Sequence, residues 1–152
     1  MPLKEYVVAI PSYKRPETLR DRTLKVLQNY RIDPNKIHIF VADQEQKKIY
    51  EGVLPNKSYK KIIIGEPGIK NIRNFMPNYF PEGQYIFYMD DDIYSVQETI
   101  NNGDLTNRKH NKHVKLKSLK DLINKGFKMS EDTGLTNWGV YPVYNPFFMK
   151  PT

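Results

Sequence analysis

Four short, almost uninterrupted apolar runs constrain this chain more than anything else in it. They are Tyr6-Val7-Val8-Ala9-Ile10, Ile37-His38-Ile39-Phe40-Val41, Ile62-Ile63-Ile64 and Tyr85-Ile86-Phe87-Tyr88-Met89. A strand with one wet face alternates apolar and polar residues, because successive side chains point to opposite faces. Strands buried on both faces read instead as continuous apolar runs, the pattern of a parallel sheet covered by helices. The intervening segments carry helical spacing. Pro16 suits a first helical turn, and Leu19, Thr23, Val26, Leu27 and Tyr30 repeat three or four residues apart, predicting one helix from Pro16 to about Tyr30. A short helix is expected around Gln44–Tyr50 and another over Ile69–Tyr79. Strands alternating with helices imply an α/β fold of βαβ units, a mostly parallel sheet flanked by helices.

The texture changes after residue 92. Asn101–Lys117 is polar and basic, and reads as a loop or exposed hairpin. Ser118 followed by Asp121 has the spacing of a capping box, and Leu119, Leu122, Ile123 and Phe127 continue a helix. Leu135–Tyr141 reads as a further strand. No linker interrupts the chain, so residues 1–152 are taken as one domain, a length typical of one.

Composition narrows the chemistry. There is no cysteine, which excludes a disulfide framework, a thiolate metal site and a cysteine nucleophile. Lys and Arg number 24 against 17 Asp and Glu, a net charge of +7 that favours anionic partners. No apolar run approaches the ~18–20 residues that span a bilayer. The N-terminal stretch lacks the apolar length and small-residue cleavage site of a signal peptide, so a cytoplasmic protein is expected.

The sharpest chemical signal is Asp90-Asp91-Asp92, directly after the fourth apolar run. Strand alternation directs Asp90 and Asp92 one way and Asp91 the other. Three adjacent carboxylates repel one another, and a divalent cation would relieve that repulsion. Hard oxygen donors suit Mg²⁺ or Mn²⁺, which bridge carboxylates to substrate phosphates. The position agrees, since open α/β sheets bind ligands beyond the carboxyl ends of their strands. A solvated acidic turn or helix cap is the competing reading.

Three further segments sit at strand ends or helix starts. Ile10-Pro11-Ser12-Tyr13-Lys14-Arg15-Pro16 follows the first run and either presents Tyr13 and backbone amides to a ligand or is an ordinary strand-to-helix turn. Asp43 ends the second run; it either accepts a hydrogen bond from a nucleobase or ribose or caps the next helix. In Gly68-Ile69-Lys70-Asn71-Ile72-Arg73-Asn74, Lys70 and Arg73 lie one turn apart near a helix start. That placement suits an anion or a carbonyl-rich base, and equally a solvated basic face.

In this order, AIPSYKRP, VADQ, GIKNIRN and YIFYMDDDI resemble the motifs of nucleotide-sugar glycosyltransferases of the GT-A fold, in the style of the large inverting family-two group. The likeness covers about residues 4–95. It implies a metal-dependent transfer of a sugar from a nucleoside diphosphate sugar, UDP- or GDP-linked, to an acceptor hydroxyl. It assigns nucleotide-sugar binding to Pro11, Tyr13, Arg15, Asp43, Lys70, Arg73, Asp90 and Asp91. Within that set Tyr13 stacks on the base, and Asp43 and Arg73 contact it. The last segment is the DxD motif, with Asp90 in the ribose or metal shell and Asp92 coordinating Mn²⁺ or Mg²⁺ directly. The aromatic tail from Trp138 to Phe148 resembles a narrower subgroup from phages and large DNA viruses, whose acceptors are viral glycans or modified DNA bases; its members would act in the host cytoplasm.

The sequence departs from the broad family in two ways. Gln44 follows Asp43 where a second acidic residue is usual, and the chain is short on the acceptor side.

An inverting transfer needs a base facing the acceptor hydroxyl. Glu131 and Asp132, after the last helix, are the only acidic pair downstream of the triplet, and Asp132 is the nominee against a solvated helix end. His110 and His113 either complete a metal shell or belong to a basic loop, and Trp138 is either an acceptor platform or core packing. Two other functions compete: a metal-dependent phosphohydrolase or nucleotidyltransferase, and a non-catalytic basic module that binds nucleic acid.

Overall fold

A computed structural model describes residues 5–101, 103 and 108–140. The chain divides into two compact units, one ending at Tyr94 and the other beginning at Ser95.

The first unit is α/β. Its elements are β1 (Tyr6–Pro11), α1 (Pro16–Asp21), α2 (Thr23–Asn29), β2 (Ile37–Val41), α3 (Gln44–Val53), β3 (Lys61–Ile64), α4 (Ile69–Tyr79) and β4 (Tyr85–Tyr88). The four strands form one parallel sheet in the order β3-β2-β1-β4, with helical crossovers between successive strands. β2 and β3 extend the sheet to one side of β1, and β4 returns to the other side. The direction of winding therefore reverses between β1 and β4, where such sheets open a crevice at their carboxyl ends.

Burial follows the apolar runs. β2 is buried along its whole length, and Val8, Ala9 and Ile10 of β1 are fully enclosed. Ala9, Phe40 and Ile63 point to one face and pack against Ile72, Met76 and Phe80, from α4 and the residue that ends it. Phe40 meets Phe80 and Tyr79 edge-on, at centroid distances of 5.9 and 5.5 Å. The alternate side chains Val8, Ile10, Ile39 and Val41 are also fully buried, as are Leu19, Leu27 and Tyr50 of α1, α2 and α3. Burying each large side chain of this kind contributes about 1.5–3 kcal/mol. Gly65 marks the tightest approach of the β3 end to α4: a Cβ there would stand 3.2 Å from Ile72 and 3.3 Å from Phe75.

β4 is the exception to two-sided burial. Tyr85, Ile86 and Phe87 are only half-buried and Tyr88 is exposed, because among the described residues β4 pairs with β1 alone. The expected single helix after Pro16 is two helices, interrupted at Arg22 (φ −114°, ψ −89°). The break falls immediately before Thr23, whose hydroxyl is engaged elsewhere, as described below.

The second unit holds an antiparallel ribbon, β5 (Gln97–Asn101) with β6 (Asn111–Lys115), and α5 (Leu119–Thr133). The polar stretch is thus a hairpin. Ser118 caps α5 as the sequence suggests, its hydroxyl accepting the Asp121 N–H at 3.1 Å. Two expectations fail here. Glu131 and Asp132 lie inside α5, which runs on to the left-handed Gly134 (φ 71°). Residues 135–140 form no strand; Trp138 instead lays its indole against α5, edge-on to Phe127 at 5.5 Å. Gly126 makes room for it, since a Cβ there would fall 2.3 Å from the ring. Tyr141 and the aromatic tail beyond it lie outside the described residues. No described helix is long and apolar enough to cross a membrane.

Candidate functional site

The parallel registers bring the loop after β1 beside the acidic triplet. Ala9 pairs with Tyr88, and the Met89 N–H donates to the Ala9 carbonyl at 3.1 Å. Ser12 and Asp91 therefore follow adjacent strands at the same level of the sheet.

The three aspartates separate by direction, although they lie past the end of β4, with Asp91 and Asp92 in a turn. Asp91 turns inward, its side chain 3% exposed, whereas Asp90 and Asp92 face outward at 58% and 45%. A buried carboxylate must have its oxygens paired. Arg15 supplies Nε at 3.0 Å and a terminal nitrogen at 2.5 Å, and the Ser12 hydroxyl donates at 2.6 Å. The bonds continue behind Ser12: the Tyr50 hydroxyl donates to Ser12 Oγ at 2.6 Å and accepts the Arg15 N–H at 3.2 Å. Burial pushes the Tyr50 phenol above its ordinary pKa, so it remains a donor at neutral pH.

Thr23 holds the triplet from the helix side. Its buried hydroxyl donates to the Asp90 carbonyl at 2.6 Å and accepts the Ile93 N–H at 2.9 Å. One side chain thereby satisfies both ends of the turn that carries the carboxylates. The loop after β1 is pinned as well. Lys14 adopts a left-handed backbone (φ 54°), which costs an L-residue about 1–2 kcal/mol. Its N–H donates to Oε1 of the buried Gln46 at 2.9 Å.

Charge is compensated within the chain. Arg15 also lies 3.5 Å from Asp92, and Arg73 reaches Asp90 at 3.0 Å. The mutual repulsion of the carboxylates, which the sequence reading relieves with a cation, is thus already offset by two guanidinium groups. What remains open to a ligand is the exposed pair, Asp90 and Asp92.

The other sequence-nominated residues fall as follows. Pro11 is the last residue of β1, and Tyr13 projects beyond it, 56% exposed, with the Lys14 ammonium 5.1 Å from its ring centroid. Asp43 is the N-cap of α3, accepting the Gln46 N–H at 2.8 Å; its second oxygen takes no part in that bond, so capping and ligand contact are compatible. Lys70 is exposed in the first turn of α4, whose N-cap Gly68 (φ 94°) offers no side chain to the free amides. Arg15 turns to Asp91 and Asp92, which makes it part of the scaffold of the triplet.

In the second unit, Asp132 is exposed and pairs with Lys128 one turn earlier at 2.7 Å. His113 Nδ1 is hydrogen-bonded to Thr99 Oγ1 at 3.3 Å, and Trp138 is half-buried on α5. Among the described residues no three His, Asp or Glu side chains cluster as a metal cage.

Ser12, Thr23, Gln46 and Tyr50 escape the sequence reading as site residues. Gln46 and Tyr50 stand four apart on the buried face of α3, a spacing that signals burial but not a hydroxyl aimed at another strand's loop. No family model matches the chain, and neither a curated protein nor a solved structure matches it.

Proposed function

We propose that the first unit is the donor half of a GT-A-type glycosyltransferase, moving a sugar from a nucleoside diphosphate sugar to an acceptor hydroxyl. The observation that carries this reading is the outward pair Asp90 and Asp92, held by a buried Asp91 at the point where the winding of the sheet reverses. Two exposed carboxylates match the needs of Mg²⁺ or Mn²⁺, which take one or two protein carboxylates and complete their shell with phosphates and water. Bound there, the ion supplies Lewis-acid stabilisation of the diphosphate.

The chain's own residues would do the rest. Tyr13 offers an exposed ring for base stacking at the β1 end. Asp43 has an oxygen beyond its capping bond for the base or ribose, and Arg73 adds a donor beside Asp90. Lys70 and the uncapped amides of α4 suit a leaving group that gains negative charge. The acceptor oxygen forms the new bond to the anomeric carbon as its proton passes to a base. The bond to the phosphate oxygen breaks, and its electron pair stays on the diphosphate. Asp132 is the nominee for the base. A cytoplasmic site of action, with a glycan or modified DNA base as acceptor, belongs to the same proposal.

The test is thermal shift with UDP, GDP, CMP and their sugars, with and without Mn²⁺. A metal-dependent rise for at least one nucleoside diphosphate, lost in Asp92→Ala, is expected. A folded sample that responds to none of them overturns the reading, and hydrolysis of phosphomonoesters in its place favours the phosphohydrolase.

A further inference from the structure

The positive charge of this chain is concentrated in one place. Residues 108–128 carry eight Lys and Arg against one Asp, a net +7 equal to that of the whole chain; the remaining residues balance at sixteen of each sign. This run lies wholly in the second unit, along β6 and the first two thirds of α5. Lys112, Lys115, Lys117, Lys120 and Lys125 are all exposed, and none has a carboxylate partner among the described residues.

We infer that this segment is a docking surface for double-stranded nucleic acid. Three observations select that partner among polyanions. First, strand alternation puts Lys112 and Lys115 on opposite faces of the ribbon, opposite Ile100 and Gln97 respectively. Cations on both faces suit a groove walled by phosphates, and B-form major grooves admit a two-stranded ribbon. A bilayer presents its charge to one face only. Second, neither β5 (QETIN) nor β6 (NKHVK) contains Phe, Tyr or Trp. Unpaired bases and sugar rings are held by stacking on such rings, so single strands and polysaccharides lack their usual platform here. Third, one face carries a ladder of hydrogen-bonding side chains, with Asn101 donating to Asn111 at 2.8 Å beside the Thr99–His113 bond.

Scale agrees. Lys112 and Lys120 are eight residues apart, so they lie within about 29 Å of each other, less than one ~34 Å duplex turn. On α5, Lys120 and Lys125 are both exposed, whereas Leu119, Ile123 and Phe127 are buried.

This inference does not depend on the donor site, and its test excludes it. Fluorescence anisotropy of a labelled DNA duplex is followed with the full chain in EDTA, without sugar nucleotide, across about 50–200 mM salt. Each phosphate contact contributes about −0.9 to the slope of log K against log salt. The triple variant Lys112→Gln/Lys115→Gln/Lys117→Gln should flatten that slope by about three and weaken binding at least tenfold at low salt. A charge-matched control, Lys25→Gln/Lys48→Gln/Lys60→Gln in the first unit, should bind like the parent. Unchanged far-UV circular dichroism and melting confirm that both variants are folded. Equal losses in the two variants, no duplex binding at low salt, or binding only to heparin, single strands or anionic vesicles overturns the inference.

Discussion

Arg15 grips Asp91 through two of its nitrogens, at 3.0 and 2.5 Å, so the central member of the acidic triplet is a structural anion. Its neighbours are free to differ from it in role. Asp91→Asn removes the charge that Arg15 and Ser12 are built around and should cost about 2 kcal/mol of stability. Asp92→Ala acts on an exposed side chain and should stay within about 0.5 kcal/mol. Urea denaturation of the two variants reads the difference directly, and equal losses would remove the division of labour proposed for the triplet.

Thr23→Val keeps the shape of the side chain but deletes the hydroxyl that bridges Asp90 and Ile93. Two backbone groups lose their partner, at a cost of about 1–3 kcal/mol. The variant should also weaken any nucleotide-dependent thermal shift, because the turn carrying Asp90 and Asp92 is no longer held. Thr23→Ser, which retains the hydroxyl, should recover most of that response.

Gly126 and Trp138 are coupled. A methyl at Gly126 would overlap the indole, so Gly126→Ala should destabilise by about 1–3 kcal/mol despite alanine's better helix propensity. In a Trp138→Ala background the overlap is gone, and the same change should become neutral or favourable by up to about 1 kcal/mol. Thermal melts of the four proteins close the cycle.

His38 makes the fold sensitive to mild acid. Burial lowers its pKa below the ordinary value, opposed by the bond from Nδ1 to the Lys36 carbonyl at 3.0 Å and reinforced by nearby Lys60 and Lys61. The unfolded chain takes up this proton near pH ~6.5, before the folded one does. The unfolded state then binds more protons, so the stabilisation is complete above that pH and declines as pH falls toward the lower folded pKa. The urea midpoint should drop between pH 7.5 and 5.5. His38→Asn, which can still donate to Lys36, should flatten that dependence.

Much of the first unit is legible in the residue order. Continuous apolar runs mark strands covered on both faces, and β2 and α4 occur where the pattern puts them. Proline, glycine and capping residues mark the ends of elements, as Asp43 and Ser118 do. Asp91 does part from Asp90 and Asp92 as expected, but in the turn beyond β4 rather than along a strand. These are local properties, set by the geometry of the backbone and by the side chain at each position.

Tertiary structure decided what local patterns do not encode. It placed β4 at the edge of the sheet among the described residues, kinked the first helical region at Arg22 and packed Trp138 on Gly126 where the sequence suggests a strand. It also chose the partners: Arg15 for Asp91, Thr23 for the Asp90 turn and Tyr50 for Ser12. These pairs stand from 38 to 76 residues apart in the chain. Their energies depend on burial and on angles that exist only once the sheet has formed, so no spacing rule along the sequence reveals them.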